Sequence, residues 1–293
     1  MLVVKQTYHY LSPEERPICK NIIEKFSELQ RSGMLVAKQK YHYLSSRGAT
    51  SKKINRPNFQ TMKLIHLIFF ISVSVLQINA QEIKSQLNKE IKKVEQISYI
   101  LDYPQNTKTK VPLIVFLHGS GERGTDLEKV KAHSPFTYKN LIKEPVAILA
   151  PQCPENVWWD TETVYQLIKE IQQKNKIDES RIILTGLSMG GWGTLKLAME
   201  HPEMFSAVVP VCSPVDRLMM VRADQYKNLP MKIFHGGNDD IVSPMNSIEI
   251  YQAIKKFNPT VSLTIFPDDN HNSWDSTYSD PKLYEWMLAQ KKK

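Results

Sequence analysis

Seven short runs rich in β-branched and aliphatic residues, separated by amphipathic stretches, leave few folds open to residues 97–293 of this chain. The runs are 97–103, 111–117, 146–150, 181–185, 207–212, 231–235 and 261–266. Most are apolar almost throughout, which is the pattern of strands covered on both faces. Between them, 161–173 places Val164, Leu167, Ile168 and Ile171 at the i, i+3, i+4, i+7 spacing of one helix face, with Asp160 positioned as its N-cap. Further helical patterns lie at 191–200, 245–257 and 281–290. This alternation predicts an α/β fold, a mostly parallel sheet with helices on both faces. In such a sheet functional groups collect beyond the carboxyl ends of the strands. The residues that follow each run are therefore where chemistry is to be sought.

The N-terminal part reads differently. Residues 1–80 hold 12 Lys+Arg and 4 Glu, whereas 81–293 hold 26 Lys+Arg and 26 Asp+Glu. The whole net charge of +8 thus precedes residue 81, and the remainder is neutral. A basic chain suggests nucleic acid or anionic membrane as partner, but here the main domain carries no such excess, so no nucleic-acid partner is expected. Residues 62–80 have the parts of a secretory signal peptide: Met62-Lys63, an apolar run from Leu64 to Leu76, and a small residue, Ala80, before Gln81. The run is short of the roughly 20 apolar residues of a membrane span. Export to the periplasm or the extracellular space is expected, with no stable membrane insertion after cleavage. Residues 1–61 contain a near-duplicate, MLVVKQTYHYLS at 1–12 and MLVAKQKYHYLS at 34–45. Two copies are too few for a repeat fold. The segment is read as a poorly structured basic extension, upstream sequence with Met62 as the natural start. That leaves 81–293, 213 residues, as one domain with a sizeable core.

The run RIILT is followed by Gly186-Leu187-Ser188-Met189-Gly190, the G-x-S-x-G spacing of a nucleophile on a tight strand-to-helix turn. Two later runs end on loops that carry Asp239 with Asp240, and His271. Serine, acid and histidine thus follow three strands in the order of one known catalytic triad. His271 would take the proton of Ser188, and the acid would orient the imidazole. The stretch Gly119–Gly124 also fits G-x-G-x-x-G after a strand. A dinucleotide site would need an acidic residue closing the next strand, and there the chain has Pro151-Gln152.

From about residue 97 onward the chain resembles the α/β-hydrolase superfamily. It is most similar to small lidless bacterial esterases grouped with dienelactone hydrolases, phospholipase/carboxylesterases and "predicted peptidases". The resemblance rests on LHGSGERGTD (117–126), APQCP (150–154), DESRIILTGLSMGGWGT (178–194), HGGNDDIVSP (235–244) and HNSW (271–274). It implies Asp239 rather than Asp240 as the acid, although Ser243 stands before Pro244 where relatives usually have valine. It further implies oxyanion donors at the backbone amides of Ser120 and Met189. His118 would hold the loop, and Glu122 and Arg123 would pair with loop backbone, with a substrate carboxylate as a second role for Arg123. The strand order usual in the superfamily sets two strands between Cys153 and Cys212. They would stand roughly 14 Å apart at about 4.8 Å per strand, too far for a disulfide.

Only eighteen residues separate Cys212 from Met231, too few for a lid domain. Trp158, Trp159 and Trp274 lie on loops near the expected site, where they would either stack a sugar or phenolic group or cover the sheet edge. The reading is a serine esterase acting on a small-molecule or polysaccharide-linked ester, with no cofactor and no metal. A serine peptidase of prolyl-oligopeptidase type and a non-catalytic binding domain are the alternatives on the same fold.

Overall fold

The structure, a computed structural model, describes residues 84–89 and 96–292. The expectations for 1–61 and for the signal segment 62–80 lie outside the described residues. The chain divides into two units, Leu29–Lys93 forming one and Val94–Lys293 belonging to the other. In the first, residues 84–89 are exposed and form neither helix nor strand. The second holds the sheet.

Seven strands run β1 (Tyr99–Asp102), β2 (Val111–Leu117), β3 (Ala147–Pro151), β4 (Ile177–Leu187), β5 (Ala207–Val211), β6 (Lys232–Gly236) and β7 (Ser262–Phe266). Their order across the sheet is β1-β3-β2-β4-β5-β6-β7. β1 pairs with β3 antiparallel, and all other pairings are parallel. Every residue of β2, β3 and β5 is buried. That burial accounts for the unbroken apolar runs, because successive side chains point to opposite faces and both faces are covered.

The two faces have separate cores. Val111, Leu113, Val115 and Leu117 of β2 pack on one side with helices α1 (Thr161–Lys174) and α2 (Met189–Glu200). Ile114 and Phe116 pack on the other with Tyr278, Leu283 and Met287. Those three come from α5 (Trp274–Tyr278) and α6 (Pro281–Ala289). The remaining helices are α3 (Arg217–Val221) and α4 (Met245–Lys255). Asp160 caps α1 as expected, its carboxylate accepting from the Thr163 amide at 3.0 Å.

β4 starts four residues before the apolar run that signalled it. Asp178 there accepts from the Ser180 hydroxyl at 2.7 Å and from Arg181 Nε at 2.8 Å. Arg181 also reaches Glu144 at 2.9 Å. These polar residues satisfy one another while the backbone continues as strand. Cys153 and Cys212 are free and buried, and β2 and β4 lie between the strands they follow. Among the described residues no helix is long and apolar enough to cross a membrane.

Ile114 is fully buried in the middle of the sheet. Ile114→Ala is expected to cost about 2–5 kcal/mol, read as a lower urea midpoint at unchanged m value.

Candidate active site

Ser188 joins β4 to α2 with φ 52° and ψ −118°, a left-handed conformation that costs a non-glycine residue about 1–3 kcal/mol. Its amide donates to Val211 O at 2.9 Å, which ties the turn to β5. The turn is possible because its flanking residues have no side chains. A Cβ at Gly186 would lie 2.5 Å from Gly190 O, and one at Gly190 would lie 1.8 Å from Leu117 O. Strand, turn and helix therefore pass within backbone contact of the end of β2.

The loops after β6 and β7 bring the other two groups to this turn. His271 Nε2 lies 3.0 Å from Ser188 Oγ, and His271 Nδ1 lies 2.8 Å from Asp239 Oδ2. Asp239 Oδ1 accepts from the amides of Ile241 and Val242 at 2.9 and 2.8 Å. Asp240, the other candidate, is exposed to solvent. With Ser243 before Pro244, the loop still holds Asp239 against His271.

His235, at the buried end of β6, went unnoticed in the sequence. Its Nε2 is 2.9 Å from Val242 O and 3.1 Å from Asp239 Oδ2, and its Nδ1 is 2.7 Å from Ser247 Oγ. A carbonyl and a carboxylate can only accept, so Nε2 carries the hydrogen. Burial alone would raise the pKa of Asp239, but the hydrogen bonds from His235, His271 and the Val242 amide outweigh it. They hold the carboxyl well below the usual range. The signal for His235 lay in the strand itself, a histidine directly after the apolar pair Ile233-Phe234.

The connection after β2 opens with a short 3₁₀ turn, Ser120–Glu122, the first of three before β3. The amides of Ser120 and Met189 both stand at the first position of a helical turn, where no acceptor exists within the helix. His118 is buried in a fixed neutral form. Its Nε2 accepts from the Cys153 amide at 3.0 Å, leaving Nδ1 to donate to Gly119 O at 2.6 Å. Burial pushes its pKa down to about 4. Arg123 spans two loops, Nε donating to Ser120 O at 3.0 Å and Nη1 to Val157 O at 3.3 Å. Its hydrogen bonds go to backbone, not into an open site.

The tryptophans separate. Trp159 is only 3% exposed. Its Nε1 donates to His118 O at 3.2 Å, and its ring lies where a side chain at Gly193 would be. It is core, and the expectation of a rim position fails because the loop turns this side chain inward under α2. Trp158 is exposed and packs edge-on against Trp192, with ring centres 5.1 Å apart. Trp274 is half-buried and meets the His271 ring edge-on at 5.4 Å. One group among the described residues has metal-like spacing: Cys212 Sγ and ligand atoms of Asp239 and His271 lie within 4.8 Å of one another. Burial pushes the Cys212 thiol up to about 12, and the other two residues are already hydrogen-bonded in the relay.

The sequence and the fold have counterparts among known proteins. A family model described as Phospholipase/Carboxylesterase matches residues 152–282. A solved thermostable esterase is 32% identical, covers 67% of this chain and 59% of its own, and superposes with a TM-score of 0.61. The chain has the α/β-hydrolase fold and is similar to esterases. Other relatives are more distant. The bifunctional acetylxylan esterase/xylanase of Neocallimastix patriciarum is 24% identical over 64% of this chain, which spans only 28% of that protein. Lysophospholipase-like protein 1 of Mus musculus is 24% identical over 60% of this chain and 86% of its own length.

Two consequences can be measured. Gly190→Ala drives a methyl into the Leu117 carbonyl and is expected to destabilise by more than about 3 kcal/mol, seen as a collapse of the melting temperature. Asp239 has a folded-state pKa below its unfolded one, so its ionic contribution is complete above about pH 4 and fades as pH falls below that. The stability gap between wild type and Asp239→Asn in urea titrations is expected at pH 7 and should shrink toward pH 3.

Proposed function

We propose that this chain is a serine esterase that cleaves carboxylic esters through an acyl-enzyme. The observation that carries the proposal is the relay from Ser188 Oγ to His271 Nε2 at 3.0 Å and from His271 Nδ1 to Asp239 at 2.8 Å, set on a strained turn. As Ser188 Oγ attacks the ester carbonyl, His271 Nε2 takes its proton, and Asp239 stabilises the imidazolium that forms. The developing oxyanion accepts from the amides of Ser120 and Met189, and such donors are each worth roughly 10²–10³ in rate. Collapse of the tetrahedral adduct expels the alcohol, which receives the proton from His271. Water then repeats the sequence on the acyl-enzyme.

Support for ester rather than amide chemistry comes from the Phospholipase/Carboxylesterase match and the similarity to esterases. The substrate class proposed is a short acyl or phenolic ester on a small molecule or carbohydrate, in keeping with the acetylxylan esterase relative. We also propose export through residues 62–80. N-terminal sequencing of the native protein should then begin at Gln81, and a sequence beginning before residue 62 would sink that idea.

Wild type and Ser188→Ala are to be assayed on nitrophenyl acetate and on a proline-containing peptide amide. Ester turnover is expected in the wild type and should fall by about 10³-fold or more in the variant. Amide cleavage without ester cleavage would make the protein a peptidase. Equal turnover in both proteins would remove Ser188 from the chemistry. Asp239→Asn is expected to lower kcat by about 10⁴, whereas Asp240→Asn, on an exposed side chain, should change it less than about twofold.

A further inference from the structure

We infer that a subsite built from Glu122 and Trp274 recognises the hydroxyl groups of the leaving alcohol, so that the substrate is an ester of a polyol or sugar. The inference rests on the esterase reading above. It starts from two buried polar atoms with no hydrogen-bond partner among the described residues, Glu122 Oε2 and Trp274 Nε1. Buried polar groups in native structures are nearly always paired, so two orphans at one place point to a ligand that completes them.

Both atoms lie close to the nucleophile through their neighbours. A side chain at Gly119 would meet Glu122 Oε2 at 3.2 Å and Ser188 Cβ at 3.7 Å, so the carboxylate and the serine flank the same spot. The His133 ring lies 5.4 Å from the Trp274 ring, and Trp274 lies 5.4 Å from His271. His271 Nε2 in turn lies 3.0 Å from Ser188 Oγ. Glu122 Oε2 itself stays unpaired: the carboxyl group takes backbone hydrogen bonds from Gly119 and Glu122, and His118 Nδ1, 3.9 Å from Oε2, donates to Gly119 O instead.

The two orphans are chemically complementary. A carboxylate oxygen accepts, and an indole Nε1–H only donates. A hydroxyl does both, and neighbouring hydroxyls on one alcohol would satisfy one atom each. A plain alkyl or aryl alcohol would leave both unpaired. Trp274 touches His271, the group that hands its proton to the departing alcohol, which places the hydroxylated part on the leaving-group side. The faces of Trp274 and His133 supply flat surface for the carbon skeleton of such an alcohol.

The experiment compares glycerol monoacetate with propyl acetate, which share acyl group and carbon skeleton, using the full chain. Each kcat/KM is divided by that ester's rate with hydroxide. The wild type is expected to prefer glycerol monoacetate by about tenfold or more. The ratio should fall toward one in Trp274→Phe and, separately, in Glu122→Leu. A wild-type ratio near one, or a preference retained in both variants, overturns the inference. Nitrophenyl acetate separates the two levels. Turnover of that ester without discrimination removes the subsite alone, whereas its absence removes the esterase reading and this inference with it.

Discussion

The contact on which this molecule is built is the approach of the Ser188 turn to the end of β2. Gly186 and Gly190 lie against the Leu117 carbonyl with no room for a methyl group. That approach sets the nucleophile directly beside the loop that begins at His118, and so beside the amides that would bind an oxyanion. The same packing anchors α2, whose inner face covers one core of the sheet. A positive φ at Ser188 is tolerable because strand pairing, the Val211 hydrogen bond and the helix hold the turn from three sides.

Electrostatics complete what packing begins. Asp239 is surrounded by donors: two backbone amides, His235 and His271. A buried carboxylate without them would take up a proton. With them it stays ionised and can hold one tautomer of His271. His118 shows the opposite solution, a buried imidazole kept neutral by one acceptor bond and one donor bond. Two histidines near the site are therefore scaffolding, and only His271, partly open to solvent, faces the nucleophile.

Much of this was legible in the sequence because it depends on period and spacing. Continuous apolar runs marked β2, β3 and β5, whose burial on both faces leaves no alternation to read. G-x-S-x-G, HGGNDD and NHN each fell directly after a strand, which suffices to bring Ser188, Asp239 and His271 together. The polar start of β4 was not legible, because Asp178 and Arg181 are satisfied by side chains remote from any periodic pattern. Nor could sequence separate Trp158 from Trp159. Adjacent residues on an irregular loop carry no period, and only the path of the chain decided that Trp159 turns under α2. The partnerless atoms of Glu122 and Trp274 are a property of three-dimensional surroundings, invisible in any one-dimensional reading.

The strand order has a consequence for how such a protein can diverge. Ser188, Asp239 and His271 come from a continuous stretch of chain beginning at β4, on one half of the sheet. Glu122, His133 and Trp158 come from the connections around β2 and β3, on the other half. Proton transfer and most of the candidate recognition surface are thus encoded in separate, consecutive segments, with Trp274 as the exception. Outside the turn that carries the Ser120 amide, the segment around β2 and β3 can accumulate changes while the hydrogen-bond relay remains intact. A lineage of such chains can therefore explore new alcohols by rewriting roughly one stretch of its gene, without reinventing the reaction.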